Sequence, residues 1–379
     1  MLSLLSRLTG GDRNACLKIC LQNDFLFLRG TRSEAGEQPL NGVISLQLPA
    51  GQHANGVRLR MVGFLRCRDH DISSSSPSSF RTVRVFEHEW APFIIDHSLK
   101  VDSAQSPNIE THEWPFEFMI PGDTPETFRG CSCCSVTYQL TGTTIRGKSS
   151  TATPQAYQPI RISRTLQNSE FELMDPTTME GTWGDRISYC ISIGHRAVAL
   201  GTAIPLEMRL TPLDKKSKIS KVRCELLESH KFDYGGPRPL TSFSGERQVA
   251  EWFATVESQE DSARQEYRIT QKLPLPNEPK RCSPDVDMDN LSTNHVLHVE
   301  VDVAEPGDDL FRARYHATIP IVLFISPKIP IDASENFVRP KSPTGECLPM
   351  LFGGLDVPPL YGEHKCDKIL EQTSWETPV

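Results

Sequence analysis

The sequence has little of the long apolar character that membrane proteins show, and its first residues do not predict a secretory leader. No apolar run approaches the roughly 18–20 residues that a membrane-spanning helix needs. The first residues, MLSLLSRLTGG, are partly apolar, but Ser3, Ser6 and Arg7 interrupt them. Neither a basic region nor a small-residue cleavage site accompanies this stretch, as a signal peptide would require. We therefore expect a cytoplasmic protein.

The sequence also lacks the cysteine pattern of a disulfide-stabilised protein. A disulfide framework normally has an even and dense set of cysteines, whereas the 11 cysteines here are odd in number and scattered. This pattern predicts reduced thiols, several of them facing the core. The cysteines are Cys16, Cys20, Cys67, Cys131, Cys133, Cys134, Cys190, Cys224, Cys282, Cys347 and Cys366.

Common catalytic motifs are missing as well. The sequence contains no GxGxxG, no Walker A motif, no GxSxG and no HExxH. We therefore predict that the chain is not an enzyme, that it uses no cofactor, and that it has no catalytic, cofactor-binding or metal-binding residues.

Three patterns come close to a metal site and fall short. Cys131-Ser132-Cys133-Cys134 has a CxxC spacing, but no second Cys/His pair lies at zinc-ribbon distance. The run DVDMD at 285–289 imitates the start of a calcium loop without the glycine and the glutamate that such a loop needs. His295 and His298 fall on opposite faces of one strand and so cannot share a metal ion.

The charge balance argues against a nucleic-acid partner. The net charge is −8 and the isoelectric point about 5.8, which disfavours general binding to a phosphate backbone. One basic cluster stands out, and we define it as Lys215, Lys216, Lys218, Lys221 and Arg223. It fits either a solvated strand edge, which lysines protect from pairing, or a contact for anionic lipid headgroups or acidic cargo.

The dominant pattern is the alternation of apolar and polar residues with a period of two. It covers 57–68, 136–140, 187–193 and 299–303. Each run predicts a strand with one buried face and one solvent-facing side, on which Glu300 and Asp302 lie in the last run. The fold class is therefore all-β.

Turn signals and composition divide the chain into two tandem sandwiches and a tail. Turns such as Asn41-Gly42 separate the strands, and 29 prolines disfavour long helices. The predicted domains are a sandwich over 1–163, a linker over 164–185 where alternation lapses, a second sandwich over 186–330 and a flexible tail over 331–379.

Near the carboxyl end, Pro358-Pro359-Leu360-Tyr361 matches the PPxY motif of WW-domain ligands. The two prolines favour the polyproline II conformation, so little backbone entropy is lost on docking. The proline rings enter an aromatic groove and the tyrosine fills an adjacent pocket. Pro358, Pro359 and Tyr361 are thus the predicted WW-domain contacts. The alternative is a proline-rich tail with a stray tyrosine.

Several longer segments resemble one known family. They are KICLQNDFLFLRG, LNGVISLQL, WPFEFMIPGDTPETFRG, SVTYQLTGTTIRGKSS, ISYCISIGHRAVALGTAIPLEMRLTPL, KVRCELLESH, ATIPIVLFISPKIPID and VPPLYGEHKCDKIL. Together, over about residues 15–330 and again in the tail, they resemble the fungal arrestin-like adaptors (alpha-arrestins) that interact with HECT-type ubiquitin ligases, the CreD type.

The resemblance implies two arrestin-type β-sandwich lobes and an adaptor function. The lobes would engage a plasma-membrane transporter or receptor while PPLY recruits a WW-domain HECT-type ligase. The cargo would then be ubiquitylated and internalised, in a setting linked to carbon catabolite repression. Recruitment from the cytoplasm to the plasma membrane and endosomes follows from this role. With one PPxY in the sequence, we expect weak docking without avidity. The alternative is a ligase-independent, coat-like sorting subunit of endosomal trafficking.

Overall fold

A computed structural model describes most of the chain, and every regular element in that part is a β-strand. This confirms the all-β prediction. No helix in the described part is long and apolar enough to cross a membrane. The described residues are 15–68, 80–96, 109–129, 134–145, 154–166, 175–214, 217–233, 243–254, 257–261, 264–289, 291–304, 312–332 and 336–338.

The first nine strands form the amino-terminal lobe (N-lobe). They are β1 (Cys16–Leu21), β2 (Phe25–Arg29), β3 (Gln38–Pro49), β4 (Gly56–Arg68), β5 (Phe80–Glu89), β6 (Phe93–Ile94), β7 (Ile109–Ile120), β8 (Cys134–Ile145) and β9 (Gln155–Thr165). One sheet has the order β1-β3-β7. The other has the order β2-β9-β8-β4-β5, with β6 paired to β4.

The remaining strands form the carboxyl-terminal lobe (C-lobe). They are β10 (Thr177–Trp183), β11 (Ile187–Ile193), β12 (Ala197–Ala199), β13 (Ala203–Pro212), β14 (Lys218–Phe232), β15 (Phe243–Ala254), β16 (Glu257–Asp261), β17 (Arg264–Pro274), β18 (Val286–Met288), β19 (Leu291–Ala304) and β20 (Arg312–Phe324). One sheet has the order β10-β11-β13-β17-β16. The other has the order β12-β20-β19-β14-β15, with β18 paired to β19.

Among the described strands, each lobe contains one parallel pair beside its antiparallel pairs. In the N-lobe, β2 runs parallel to β9, with Phe25 opposite Arg161. In the C-lobe, β12 runs parallel to β20, with Ala197 opposite Val322. Both pairs join a segment from early in the lobe to its last strand, so the last strand completes the sheet.

The predicted alternation accounts for the two cores. In β4, Val57, Leu59 and Met61 are fully buried, while Arg58 and Arg66 on the opposite face are exposed. Burial of each such apolar side chain stabilises the fold by about 1.5–3 kcal/mol. The runs at 136–140, 187–193 and 299–303 lie in β8, β11 and β19, as predicted.

The solvent-facing side predicted for β19 is wrong at two positions. Glu300 and Asp302 are each only 6% exposed. Arg223 and Arg314 from the neighbouring strands cover them, at 3.3 Å from Glu300 Oε2 and 2.9 Å from Asp302 Oδ1. The alternation correctly assigned Glu300 and Asp302 to the outer face of β19. It could not predict that the long side chains of Arg223 and Arg314 would cover that face and bury the two carboxylates.

The turn predicted at Asn41-Gly42 is also wrong, since both residues lie inside β3. A Cβ at Gly42 would come within 2.6 Å of the Phe116 ring and 2.7 Å of the Cys20 carbonyl oxygen. The glycine therefore makes room for an aromatic ring from β7 instead of allowing a turn.

Strand β10 lies within the range 164–185 predicted as a linker, and it pairs with β11. Its inward positions include Gly181, which lies opposite Tyr189. A Cβ at Gly181 would be 2.9 Å from the Tyr189 hydroxyl oxygen, so the tyrosine occupies the space of the missing side chain. Because the Tyr189 ring fills the space beside Gly181, this inward position needs no apolar side chain of its own. The alternation of apolar and polar residues is therefore interrupted in β10.

Within the range predicted as a tail, residues 336–338 pack onto the C-lobe. Phe337 is 2% exposed and belongs to the C-lobe core. Its backbone N–H donates to the Asn277 carbonyl at 2.8 Å, and that of Val338 donates to the Pro330 carbonyl at 2.8 Å. Gly201, at φ +84°, lies against the Phe337 ring, so a side chain there would be strained and would collide.

Candidate functional site

The predicted WW-domain contacts Pro358, Pro359 and Tyr361 lie outside the described residues. Their starting point is nevertheless defined by the packing of Phe337. Pro358 follows Val338 by 20 positions. A chain of that length spans at most about 70 Å when fully extended, which limits how far the motif can lie from the C-lobe.

The basic cluster is only partly described, because Lys215 and Lys216 lie outside the described residues. Lys218 is exposed at the start of β14. Lys221 places its Nζ 4.3 Å from the centre of the Phe253 ring, a cation–π contact. Strand β14 pairs with β15 from Val222 onward. Residues 218–221 of β14 therefore extend beyond β15 and pair with β19 on their other side alone.

Arg223 differs from the lysines because acidic side chains surround it. Its guanidinium lies 3.3 Å from Glu225, 3.2 Å from Glu251 and 3.3 Å from Glu300. Although partial desolvation opposes this, the carboxylates raise the pKa of Arg223. Its charge is thus balanced within the sheet, and the net positive charge of the cluster rests on the lysines.

The described part of the C-lobe brings together a buried polar group that we call the Glu228 cluster. It comprises Glu228, His230, Arg247, Cys282, Asp285 and His295. Glu228 and His230 point inward from β14, on the same face as Leu226. His295 points inward from β19, while Cys282 and Asp285 come from the segment between β17 and β18.

Hydrogen bonds connect the members of the Glu228 cluster. His295 contacts Asp285 Oδ1 through Nδ1 at 2.5 Å and Glu228 Oε2 through Nε2 at 3.1 Å. Arg247 Nε donates to Glu228 Oε1 at 2.6 Å. Although burial opposes its charge, donors from His230, His295 and Arg247 hold the pKa of Glu228 well below its ordinary value. The carboxylate is therefore ionised in the fold.

The cluster lies beside the contact between the lobes. The Phe128 ring of the N-lobe packs edge-on against His230, with ring centres 6.0 Å apart. Phe232, also on β14, is 4% exposed and belongs to the N-lobe core. A cleft of about 410 Å³ runs along the same seam, and Arg32 spans it to reach Asp289 at 2.8 Å.

A second buried ion pair lies on the N-lobe side of the seam. Arg164 Nε donates to Glu126 Oε1 at 2.9 Å, and its other nitrogens donate to the carbonyls of Gly30, Gly122 and Thr124. Burial, opposed by Arg164, raises the pKa of Glu126 to about 7. The loop after β7 is thereby tied to β9.

The near-motifs of the sequence lie apart in the structure. Cys134 is buried opposite Cys67, whereas Cys131 and Cys133 lie outside the described residues. In the run 285–289, Asp285 contacts His295 and Asp289 contacts Arg32, so these carboxylates do not converge. His295 is buried and His298 faces Glu225, on opposite sides of β19 as predicted.

Sequence reasoning missed the Glu228 cluster. The sequence did contain a signal for it. Glu228 and His230 occupy every second position of β14 after Val222, Cys224 and Leu226, so they lie on the same buried face of the strand. Charged residues at inward strand positions are rarely buried without partners. The partners themselves could not be found, since Cys282 and His295 are far away in the sequence and only the fold brings them to Glu228.

Comparisons with known proteins agree with the fold. Residues 183–328 match the arrestin (or S-antigen) C-terminal domain. The chain is 29% identical, over 97% of its length, to the "Probable HECT-type ubiquitin ligase-interacting protein creD" of Neosartorya fischeri. It is 28% identical, over 99% of its length, to the "HECT-type ubiquitin ligase-interacting protein creD" of Emericella nidulans. The chain spans 63% and 64% of the lengths of these relatives.

Proposed function

From the match of residues 183–328 to the arrestin C-terminal domain and from the named relatives, we propose that this chain is an arrestin-like adaptor for a WW-domain HECT-type ubiquitin ligase. In this proposal PPLY recruits the ligase to a plasma-membrane transporter or receptor, which is then ubiquitylated and endocytosed. The named relatives and the arrestin domain support an adaptor in place of an enzyme.

One observation carries the proposal: a PPxY motif follows an arrestin-like C-lobe in the same chain. Pro358 and Pro359 present the extended, preordered backbone that aromatic grooves bind. Tyr361 supplies the side chain for the adjacent pocket. The relatives are named for interaction with a HECT-type ligase, which is the class of partner that such a motif would bring.

The proposed mechanism is proximity. The lobes bind cargo, and the linker after Val338 holds the ligase within reach of cargo lysines. Tethering of this kind raises the effective concentration of the ligase, to the millimolar range for short flexible linkers, without a catalytic group in the adaptor. Carbon catabolite repression is the physiological setting that we propose, with the protein moving between the cytoplasm, the plasma membrane and endosomes.

We place peripheral contact with membrane or cargo at the lysines of the basic cluster. The cluster contains four lysines, Lys215, Lys216, Lys218 and Lys221. Among the described residues, no carboxylate lies within salt-bridge distance of Lys218 or Lys221, and Lys221 contacts the Phe253 ring instead. Each basic residue near an anionic leaflet contributes about 1 kcal/mol to binding. Arg223 is left out, because its charge is already balanced by three carboxylates.

The decisive experiment is capture of the full chain by purified WW domains of a HECT-type ligase. Tyr361→Ala should weaken capture by at least about tenfold, since an anchoring aromatic is lost. Leu360→Ala is the matched control, because the third position of the motif is not read by the groove and should leave capture unchanged.

Equal capture of wild type and Tyr361→Ala would overturn the docking proposal. The coat-like sorting subunit, which needs no ligase, would then be the better account. Cargo is tested separately by following transporter turnover in a strain that carries the Leu360→Ala or the Tyr361→Ala chain.

A further inference from the structure

Three side chains of the Glu228 cluster offer three chemically different metal-binding atoms at one point. Glu228 on β14, Cys282 in the segment before β18 and His295 on β19 place an oxygen, a sulfur and a nitrogen atom all within 4.8 Å of one another. Glu228 and Cys282 are 0% exposed and His295 is 2% exposed. We propose that these three residues bind a zinc ion in the C-lobe, with a water molecule as the fourth ligand.

The donor set and its spacing favour zinc over calcium and magnesium. Zinc binds thiolate, imidazole and carboxylate together, whereas calcium and magnesium take oxygen ligands. Ligand atoms around a tetrahedral zinc lie about 3.3–3.7 Å apart, given metal–ligand lengths of about 2.0–2.3 Å. The present atoms, 3.1 Å apart for His295 Nε2 and Glu228 Oε2, need to shift by no more than about 1 Å.

The residues around the three ligands supply the outer hydrogen bonds that zinc sites use. Asp285 contacts His295 Nδ1 at 2.5 Å, which leaves Nε2 to face a metal ion. Asp285 is held in turn by the backbone N–H of Leu323 at 3.1 Å. Such carboxylate–histidine–zinc arrangements fix the ring and increase its basicity as a ligand.

Glu228 is held in the same manner by groups that do not bind the metal. The Ser283 N–H donates to Oε2 at 2.8 Å, and Arg247 Nε donates to Oε1 at 2.6 Å. His230 Nε2 lies 2.7 Å from Oε1. Next to the cluster, the Ser283 hydroxyl oxygen is buried and lacks a hydrogen-bond partner within the described ranges, beside a cavity of about 80 Å³.

The charges around the ligands suit a divalent cation. Zinc binds cysteine as the thiolate and glutamate as the carboxylate, so Cys282 and Glu228 together compensate the two positive charges of one Zn²⁺. Arg247, whose Nε contacts Glu228 at 2.6 Å, supplies a positive charge to balance Asp285. A buried site can therefore hold zinc without leaving an uncompensated charge.

The first test measures metal on the full-length chain. The protein is loaded with Zn²⁺, freed of excess metal by gel filtration and analysed by mass spectrometry, with about one zinc ion per chain expected. Replacement by Co²⁺ should give the intense visible bands of a tetrahedral site and the charge-transfer band of a single thiolate. A chain that retains no zinc would overturn the proposal, and the cluster would then be a proton-held polar group.

Matched cysteine variants locate the metal. Cys282→Ser should lose the cobalt charge-transfer band and reduce bound zinc at least about tenfold. Cys224→Ser, at a buried cysteine of β14 outside the ligand set, should retain both. Zinc that survives Cys282→Ser but is lost in the Cys131→Ser/Cys133→Ser double variant would place the metal at the CxxC segment and overturn the proposal.

A milder variant covers the case in which Cys282→Ser does not fold. Asp285→Asn keeps all three ligands and alters only the partner of His295 Nδ1, so zinc affinity should fall about 10–100-fold while the thiolate band remains. In the wild type, zinc should raise the melting temperature, because it binds only the folded site. An unchanged affinity in Asp285→Asn, or no effect of zinc on melting, would contradict the assignment.

Discussion

At the scale of single residues, Glu126 makes the stability of the N-lobe depend on pH. Its pKa of about 7 lies above the ordinary value of 4.5, because burial outweighs the attraction of Arg164. Arg32 also attracts its charge, and Asp287 repels it. The folded chain therefore binds this proton more tightly than the unfolded chain does. The stabilisation is fully present below pH 4.5 and is lost as the pH rises through about 7.

We predict that Glu126→Gln removes this dependence. Between pH 5 and 8 the wild type should lose up to about 3 kcal/mol of unfolding free energy relative to the variant, as the shift in pKa implies. Melting temperatures of both proteins, measured across that range, check the difference. Two parallel curves would show that Glu126 stays ionised beside Arg164 at every pH tested.

Individual residues also mark the limit of what the sequence could predict. Asn41-Gly42 is a common turn dipeptide, and nothing local indicates that the Phe116 ring fills the space at Gly42. Glu228 and His230 were recognisable as inward-facing polar residues from the parity of their strand. Their partners Cys282 and His295 were not, because only the folded sheet brings these positions together.

At the scale of elements, the segment 336–338 packs on the C-lobe through the buried side chain of Phe337. Phe337 is 2% exposed, whereas Val338 beside it is 43% exposed. We predict that Phe337→Ala destabilises the C-lobe by about 3–5 kcal/mol, the usual cost of removing a buried phenylalanine. Urea unfolding measures this change.

Val338→Ala is the control for Phe337→Ala and should stay within about 0.5 kcal/mol of the wild type, as exposed positions do. A similarly small effect of both variants would mean that the C-lobe core does not depend on this segment. In that event Phe337 would not anchor the chain to the C-lobe, and the distance between the C-lobe and PPLY would not be limited by the 20 positions after Val338.

Elements with strong alternation were the part of the fold that sequence predicted well. The runs in β4, β8, β11 and β19 alternate over five or more residues, so one buried face was evident. Strand β10 escaped because Gly181 interrupts its apolar positions and Tyr189 fills the gap from the next strand. The division of each lobe into two sheets depends on pairings that periodicity does not encode.

At the scale of the whole molecule, apolar packing joins the lobes more strongly than charge does. Phe232 lies on a C-lobe strand yet is buried in the N-lobe core. The Arg32–Asp289 ion pair crosses the same seam, but the Asp289 side chain is 81% exposed. Exposed ion pairs contribute little because water and salt screen them.

We predict that Phe232→Ala costs about 3–5 kcal/mol, whereas Asp289→Asn costs less than about 1 kcal/mol. Hydrogen exchange should show weakened protection in both lobes for Phe232→Ala, since its ring belongs to one lobe and its backbone to the other. Protection lost in the C-lobe alone would indicate that the seam does not couple the two cores.

The parallel pair in each lobe imposes an order on synthesis at the ribosome. Strand β2 has β9 as its sheet neighbour, and Phe25 must wait for Arg161. At about 5–20 residues per second, the 136 residues between them take about 7–27 s to synthesise. Throughout that time the backbone N–H and C=O groups of β2 that will pair with β9 are open to other partners, including a second nascent chain. A similar delay separates β12 from β20, so in each lobe an early strand stays without this partner until the last strand has been made.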